Sequence, residues 1–313
     1  MTIKEIYNLA IKMGTEADPR GKERILKLLE KEKKNFAELK KDEKEEYDKE
    51  RMKNPYSDTR ILNGQANKKI KKILVGLDIG VSEILLADRL SGFDLIISHH
   101  PLGRALAHLD DVMKLQADLL AQYGVPINVA ESLLEIRMSE VARKVHPAFH
   151  NREVDAAKLL GVPLMCVHTP ADNLCFQKVK NKVLKENPET VGELVKVLKS
   201  IPEYKKATIE GAGPKIFAGK PDRRCGKIAF SEITGGTSGH KDIYARLSQA
   251  GVGTIVGMHM SEEHKEEAEK NHINVVIAGH AASDSVGINI FLDKLEKRQI
   301  KIIPCAGLIR EKN

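Results

Sequence analysis

Apolar positions along the chain fall into two rhythms. Short unbroken runs read as strands buried on both faces: Ile73-Leu74-Val75, Leu95-Ile96-Ile97, Val162 to Val167, Ile228-Ala229-Phe230, Thr254-Ile255-Val256, Ile273 to Ala278 and Ile300 to Ile303. Between them, apolar residues recur at spacings of three and four, as on one face of a helix. This second rhythm predicts helices over 81–90, 110–123, 131–145, 154–160, 242–250 and 283–297, and another that carries Glu262, Glu263 and His264. Residues 178–200 read as helix with a break at Asn187-Pro188. Val125 to Val129 is predicted as one more short strand, and 202–226, rich in Gly and Pro, as irregular chain. Strand and helix alternate, which predicts an α/β fold with parallel or mixed sheets flanked by helices.

The first seventy residues differ in pattern. Thr2 and Glu5 form a capping box ahead of Ile3, Ile6, Tyr7 and Ala10 at helical spacing, and Gly14 and Asp18-Pro19 close that helix. Residues 21–53 carry a narrow apolar stripe (Ile25, Leu28, Leu29, Phe36, Leu39) among many Lys and Glu. Such a face is either solvated or packed on a partner subunit. Three segments are expected: a charged helical extension over 1–70, a first α/β lobe over 71–180 and a second over 181–313, with the lobe boundary falling between about 175 and 225.

Composition narrows the functional classes. The 313 residues include 51 basic and 44 acidic side chains, net +7, and the signs are interspersed. Mixed charge of this kind does not make the basic face that nucleic-acid binding needs. No apolar run approaches the roughly 20 residues of a membrane span. The start, Met1-Thr2-Ile3-Lys4-Glu5, lacks the charged-then-apolar order of a secretory signal. The four cysteines, Cys166, Cys175, Cys225 and Cys305, form no CxxC pair and read as reduced thiols. A cytoplasmic protein without membrane contact is expected.

Candidate chemistry collects where the apolar runs stop. The run Leu95-Ile96-Ile97 ends at Ser98, and His99-His100-Pro101 follows. Ligands of open α/β sheets bind beyond the carboxyl ends of strands, so two imidazoles stand where a metal or substrate would be held. The alternative is two surface histidines in a turn. The run to Val167 likewise ends on His168, with Asp172 four residues on; Asp172-Asn173 reads equally as a helix N-cap. His280 and Asp284, at i and i+4 across the start of a helix, share one face, or else Ser283 or Asp284 merely caps or charges the first turn. Thr234 to Lys241, glycine-rich ahead of a helix, reads either as a phosphate cradle or as a flexible turn. His259 and His264 are weaker ligand candidates, since histidines beside acidic helical residues are usually solvated.

Three of these pieces fit one pattern: Asp94-Leu95-Ile96-Ile97-Ser98-His99-His100-Pro101-Leu102, His168-Thr169-x-x-Asp172 and Gly279-His280-x-x-Ser283-Asp284. Together they resemble the NIF-three-like family, also called the type-2 GTP cyclohydrolase I family, over roughly residues 70–313. The resemblance implies a two-lobed fold with a dinuclear metal site between the lobes, and a homo-hexamer. It implies His99, His100, Asp172, His280 and Asp284 as metal ligands, and His168 as a further ligand or a side chain just behind the ligands. Asp284 stands where the family usually has a glutamate bridging both ions. One methylene shorter, it is expected to reach a single ion unless its helix shifts. A donor set of N and O atoms without thiolate suits two divalent ions drawn from Zn, Mn, Fe or Co.

The reaction so implied is metal-assisted hydrolysis of a nucleotide or other phosphorylated small molecule, with His168 and Asp284 catalytic; the family's second name implies GTP ring opening. The other reading is a non-enzymatic, ring-shaped metal-binding scaffold or partner-binding protein.

Overall fold

The computed structural model describes residues 1–312. Among them nine strands form two sheets. The first sheet comprises β1 (Arg60–Asn63), β2 (Lys72–Gly76), β3 (Leu95–Ser98), β4 (Leu164–Cys166) and β9 (Lys301–Cys305), in the order β1-β4-β3-β2-β9. Only β1 runs antiparallel to its neighbour. The second sheet comprises β5 (Lys215–Ala218), β6 (Lys227–Glu232), β7 (Val252–Gly257) and β8 (Asn274–Ile277), in the order β5-β8-β7-β6, with β5 antiparallel at one edge.

Parallel neighbours need long crossovers, and helices supply them on both faces. This is why the strands read as continuous apolar runs. In the first sheet Ile73, Val75, Leu95, Ile97 and Met165 pack toward the helices Ile3–Glu16, Thr169–Glu186 and His280–Glu296. Leu74, Ile96 and Leu164 face the other way, onto Ile84, Ala87, Val154 and Ala157. The second sheet divides similarly: Phe230, Val256 and Val276 on one side, Ala229, Ile255 and Val275 on the other.

Two glycines let the first layer of helices close up. A Cβ on Gly287 would lie 2.1 Å from the Ala171 carbonyl oxygen, and one on Gly14 would lie 2.6 Å from Pro170 Cα. Three helix backbones therefore meet at residues 170–171, just ahead of Asp172.

Sheet membership crosses the expected segment boundaries at 70 and 180. β1 comes from the N-terminal segment and β9 from the last part of the chain, and both complete the first sheet. The capping box forms as expected, and Ile3, Ile6, Tyr7 and Ala10 are buried. Residues 21–53 are not one helix but Lys22–Glu38, Lys41–Glu46 and a 3-10 turn over Lys49–Met52, held by polar contacts more than by core. The guanidinium of Arg60, 1% exposed, reaches back to them through Asp48 at 2.8 Å and Glu50 at 3.1 Å.

Three local expectations fail for physical reasons. Val125 to Val129 is not a strand; a helix over Ile127–Val145 follows Pro126, because Ala130, Leu134 and Val141 give one buried helical face that outweighs the local β preference. Residues 202–226 hold the helix Pro202–Ile209, with proline in its first turn, and then β5. Their glycines mark the turns, Gly211 at φ +84 and Gly219 at φ +97. The single helix over 110–123 is two, Leu109–Val112 and Lys114–Gln122.

Candidate metal centre

The carboxyl ends of β3, β4 and β8 converge, so both sheets contribute to one cluster. His99 and His100 leave the end of β3, and their backbone N–H groups donate to Gly76 and Leu77 oxygens at 2.9 and 3.0 Å. His168 follows β4 and opens the helix Thr169–Glu186, which carries Asp172 on its first turn. Gly279, at φ +100, turns the chain out of β8 into the helix His280–Glu296, with Asp284 one turn on from His280.

The polar atoms face each other at ligand-to-ligand distances. His99 Nε2 lies 3.4 Å from Asp172 Oδ1 and 3.4 Å from Asp284 Oδ1. His100 Nε2 lies 3.2 Å and His280 Nε2 3.5 Å from Asp284 Oδ2. Donors about 2.1 Å from a common ion in tetrahedral array are about 3.4 Å apart. His168 Nε2 is 3.8 Å from Asp172 Oδ2, and its ring is 5.0 Å from that of His99. Three overlapping triads result: His99, Asp172, Asp284; His100, His280, Asp284; and His99, His100, His168. Asp284 thus turns one oxygen toward each of the first two triads.

Four of these atoms, His99 Nε2, His100 Nε2, Asp172 Oδ1 and Asp284 Oδ2, are buried with no hydrogen-bond partner. Each such atom costs on the order of 1–3 kcal/mol if nothing satisfies it. Gathered at one place in overlapping His/Asp triads, they could hold metal ions.

The far sides of the rings are consistent with this. His99 Nδ1 is 3.0 Å from the Val167 carbonyl, His100 Nδ1 2.6 Å from Asp78, and His168 Nδ1 2.8 Å from Asp58. A carbonyl or carboxylate only accepts, so each Nδ1 carries a hydrogen, and whenever the ring is neutral its Nε2 lone pair faces inward. This is how metal-ligating histidines are held.

Charge is unevenly shared in the cluster. Burial pushes the Asp172 carboxyl well above its usual range, and the neighbouring Asp284 adds to that against His99. Burial acts on Asp284 too, but the imidazoles of His99, His100 and His280 outweigh it and hold this carboxyl far below the usual range. Burial lowers His100, yet Asp284 and Asp78 lift it to about 9. Burial takes His280 down to about 4, with the other imidazoles helping, against the pull of Asp284. Asp58, fully buried, still stays low because His168 and Thr169 donate to it.

Every residue named from sequence as a metal or catalytic site (His99, His100, His168, Asp172, His280 and Asp284) lies in this cluster. The surface-histidine reading of His99 fails, since its exposure is 0%. Asp172 is not an N-cap: His168 occupies that position, and its own side chain makes no capping hydrogen bond. The glycine loop is a packed turn. Cβ atoms on Gly235 and Gly236 would lie 2.7 Å from Gln116 and 2.9 Å from Val112, and Gln116 Nε2 donates to the Gly235 and Thr237 oxygens. His264 is buried between Ser261 and the Gly239 oxygen rather than solvated. His259 stands beside the cluster, its ring 5.1 Å from that of His280 and its Nδ1 2.9 Å from Ser238 Oγ. Sequence reasoning missed Asp58, Asp78 and Glu232. For Asp58 and Asp78 no local pattern marks the role; a lone carboxylate in a turn is unremarkable until its partner is known.

One family profile, described as Duf34/NIF3 (NGG1p interacting factor 3), matches residues 49–306. Among solved structures, a NIF3 superfamily protein from Sphaerobacter thermophilus is 23% identical, with 98% of this chain and 99% of that one covered at a TM-score of 0.76. Reduced HcgD from Methanocaldococcus jannaschii is 17% identical, over 79% and 87% of the two chains, at a TM-score of 0.48. Among curated proteins none matches the sequence.

Proposed function

The chain belongs to the Duf34/NIF3 family, and from that premise and the His/Asp cluster we propose that it is a divalent-metal-dependent hydrolase acting on a nucleotide or other phosphorylated small molecule. The observation that carries the proposal is the set of four buried, partnerless donor atoms pointing at one another from two sheets. Divalent ions held there supply Lewis acidity and a water of lowered pKa. His99, Asp172 and one Asp284 oxygen would hold one ion; His100, His280 and the other Asp284 oxygen would hold the second. The cleft above them is walled by Ile233 and Met258, which limit water, and by Thr234 and Thr237. His168 Nε2, within ligand reach of His99 and His100, faces this space and can complete the shell of an ion or take a proton there.

Two observations favour the second reading, a metal-binding scaffold. The cleft holds only about 20 Å³, close to the room one water needs. Among the described residues, no lysine or arginine lines it to meet a phosphate.

One experiment separates the readings. Protein loaded with Zn, Mn, Fe or Co is screened against nucleotides, GTP included, and simple phosphate esters, with His99→Ala/His280→Ala as control. Turnover and metal content lost together in the double variant support the hydrolase. Metal bound without turnover on any substrate supports the scaffold, and unchanged metal content in the double variant removes both. We also propose the homo-hexamer, supported by Leu85, Leu86 and Leu90 exposed on the helix Val81–Leu90. Light scattering on the same sample should then give six times the 34.8 kDa chain.

A further inference from the structure

Asp58 lies in none of the elements that carry the cluster. It sits in the turn ahead of β1, within the charged N-terminal segment, yet its exposure is 0%. Three donors converge on its Oδ2: His168 Nδ1–H at 2.8 Å, the Thr169 hydroxyl at 2.6 Å and the Thr169 backbone N–H at 3.3 Å. Thr59 Oγ1, next along the chain, accepts the backbone N–H of His168 at 3.1 Å. Resting on the metal reading above, we propose that Asp58 is a positioning residue of the metal centre, which fixes His168 in its Nδ1–H tautomer and aims its Nε2 lone pair into the cleft. The N-terminal segment is then a working part of the centre and not an appendage to it.

A neutral imidazole has two tautomers, and only one leaves Nε2 free to ligate or to take a proton. The three inward-facing rings with a fixed Nδ1 differ in what fixes them. Val167, which serves His99, is in the turn that also leads to His168. Asp78, which serves His100, is 82% exposed on its side chain. Asp58 is brought from 110 residues away and shut off from water, which is where a carboxylate orients an imidazole most strongly.

The turn that carries Asp58 is itself pinned. Arg60 Nη1 donates to the Tyr56 and Thr59 oxygens at 2.7 and 2.9 Å, and the same guanidinium pairs with Asp48 and Glu50. β1 lies antiparallel on β4 with Arg60 opposite Cys166, and the Cys166 thiol donates to the Asp58 backbone carbonyl at 3.4 Å. Tilting the carboxylate therefore means moving a buried arginine or a strand. The competing account is that Asp58 only caps the helix Thr169–Glu186 through the Thr169 N–H. That bond, at 3.3 Å, is the longest of the three.

The test uses the full chain as wild type, Asp58→Ala and Asp58→Asn. Zinc affinity is read by competition with a chromophoric chelator. The His168 tautomer is read from imidazole 15N shifts of the metal-free protein. Outer-shell partners of this kind cost about 10–100-fold in metal affinity when removed. Asp58→Ala should weaken zinc binding by that much and abolish the His168 Nδ1–H signature; because it strands three buried donors, it should lower the melting temperature of the metal-free form as well. Asp58→Asn keeps an acceptor oxygen but no charge, so it should fall between the two. If the alanine variant does not fold, the near-isosteric asparagine variant carries both readouts. Wild-type zinc affinity with an unchanged His168 tautomer in a folded variant overturns the proposal and leaves the metal reading standing. A lowered melting temperature with unchanged affinity assigns Asp58 to the helix cap and overturns it too. Failure of the wild type to bind zinc removes the metal reading itself.

Discussion

At the scale of single residues, Glu232 makes the sharpest case. It is 8% exposed at the end of β6, and both its oxygens lie 3.3 Å from the Tyr244 hydroxyl. Burial lifts its pKa from 4.5 to about 7, against the Tyr244 hydrogen bond. The sign follows from linkage. Between those two values the unfolded chain has released the proton and the folded chain still holds it, so stability falls as pH rises through that window. Below 4.5 both states are protonated and the effect vanishes; above about 7 it is complete. Glu232→Gln keeps the shape and removes the charge. Its melting temperature should therefore match wild type at pH 4 and exceed it at pH 8, with roughly 3 kcal/mol as a ceiling. Equal gaps at the two pH values, read by calorimetry, would show that the carboxyl is not desolvated as described. The same contrast explains what could be read in advance. His99, His100, His280 and Asp284 announce themselves locally, by a strand end or an i,i+4 step. Asp58 and Asp78 act only through partners 110 and 22 residues away, a separation that no local pattern records.

At the scale of elements, the helices Thr169–Glu186 and His280–Glu296 decide whether Asp172 and Asp284 meet. Gly287 is one turn from Asp284, and the atom it nearly touches belongs to Ala171, next to Asp172. A methyl group there, 2.1 Å from a backbone oxygen, has nowhere to go without separating the helices. Gly287→Ala should therefore cost about 1–3 kcal/mol of stability through overpacking. It should also loosen the carboxylate pair, so zinc affinity falls although no ligand has changed. Chelator competition on the folded variant checks this, and wild-type affinity would mean that the helix contact does not set the ligand spacing. The sequence alone suggested only that glycines punctuate the chain. Strands buried on both faces were readable because burial forces unbroken apolar runs. Val125 to Val129 misled because a valine- and isoleucine-rich run looks alike in a strand and in a buried helical turn. Helix Pro202–Ile209 was hidden by the Gly and Pro that flank it.

At the scale of the whole molecule, the chain crosses between its two sheets before the centre is complete. β9 returns to the first sheet, beside β2, after the helix His280–Glu296 has left the second. The helix that carries His280 and Asp284 is thus anchored in both sheets, while His99, His100, His168 and Asp172 belong to the first. Bound ions would couple the sheets, and the unfolded chain offers no such arrangement of donors, so metal binding would add directly to folding stability. At free metal about 100-fold above Kd the gain is about 2.7 kcal/mol. For a chain of 313 residues that corresponds to about 4 °C in melting temperature. Chelation of metal-loaded wild type should lower the midpoint by that amount. His99→Ala/His280→Ala should start lower and not respond to chelator. Should wild type melt at one temperature with and without chelator, while retaining metal by elemental analysis, the ions would sit at some site other than the one that joins the sheets.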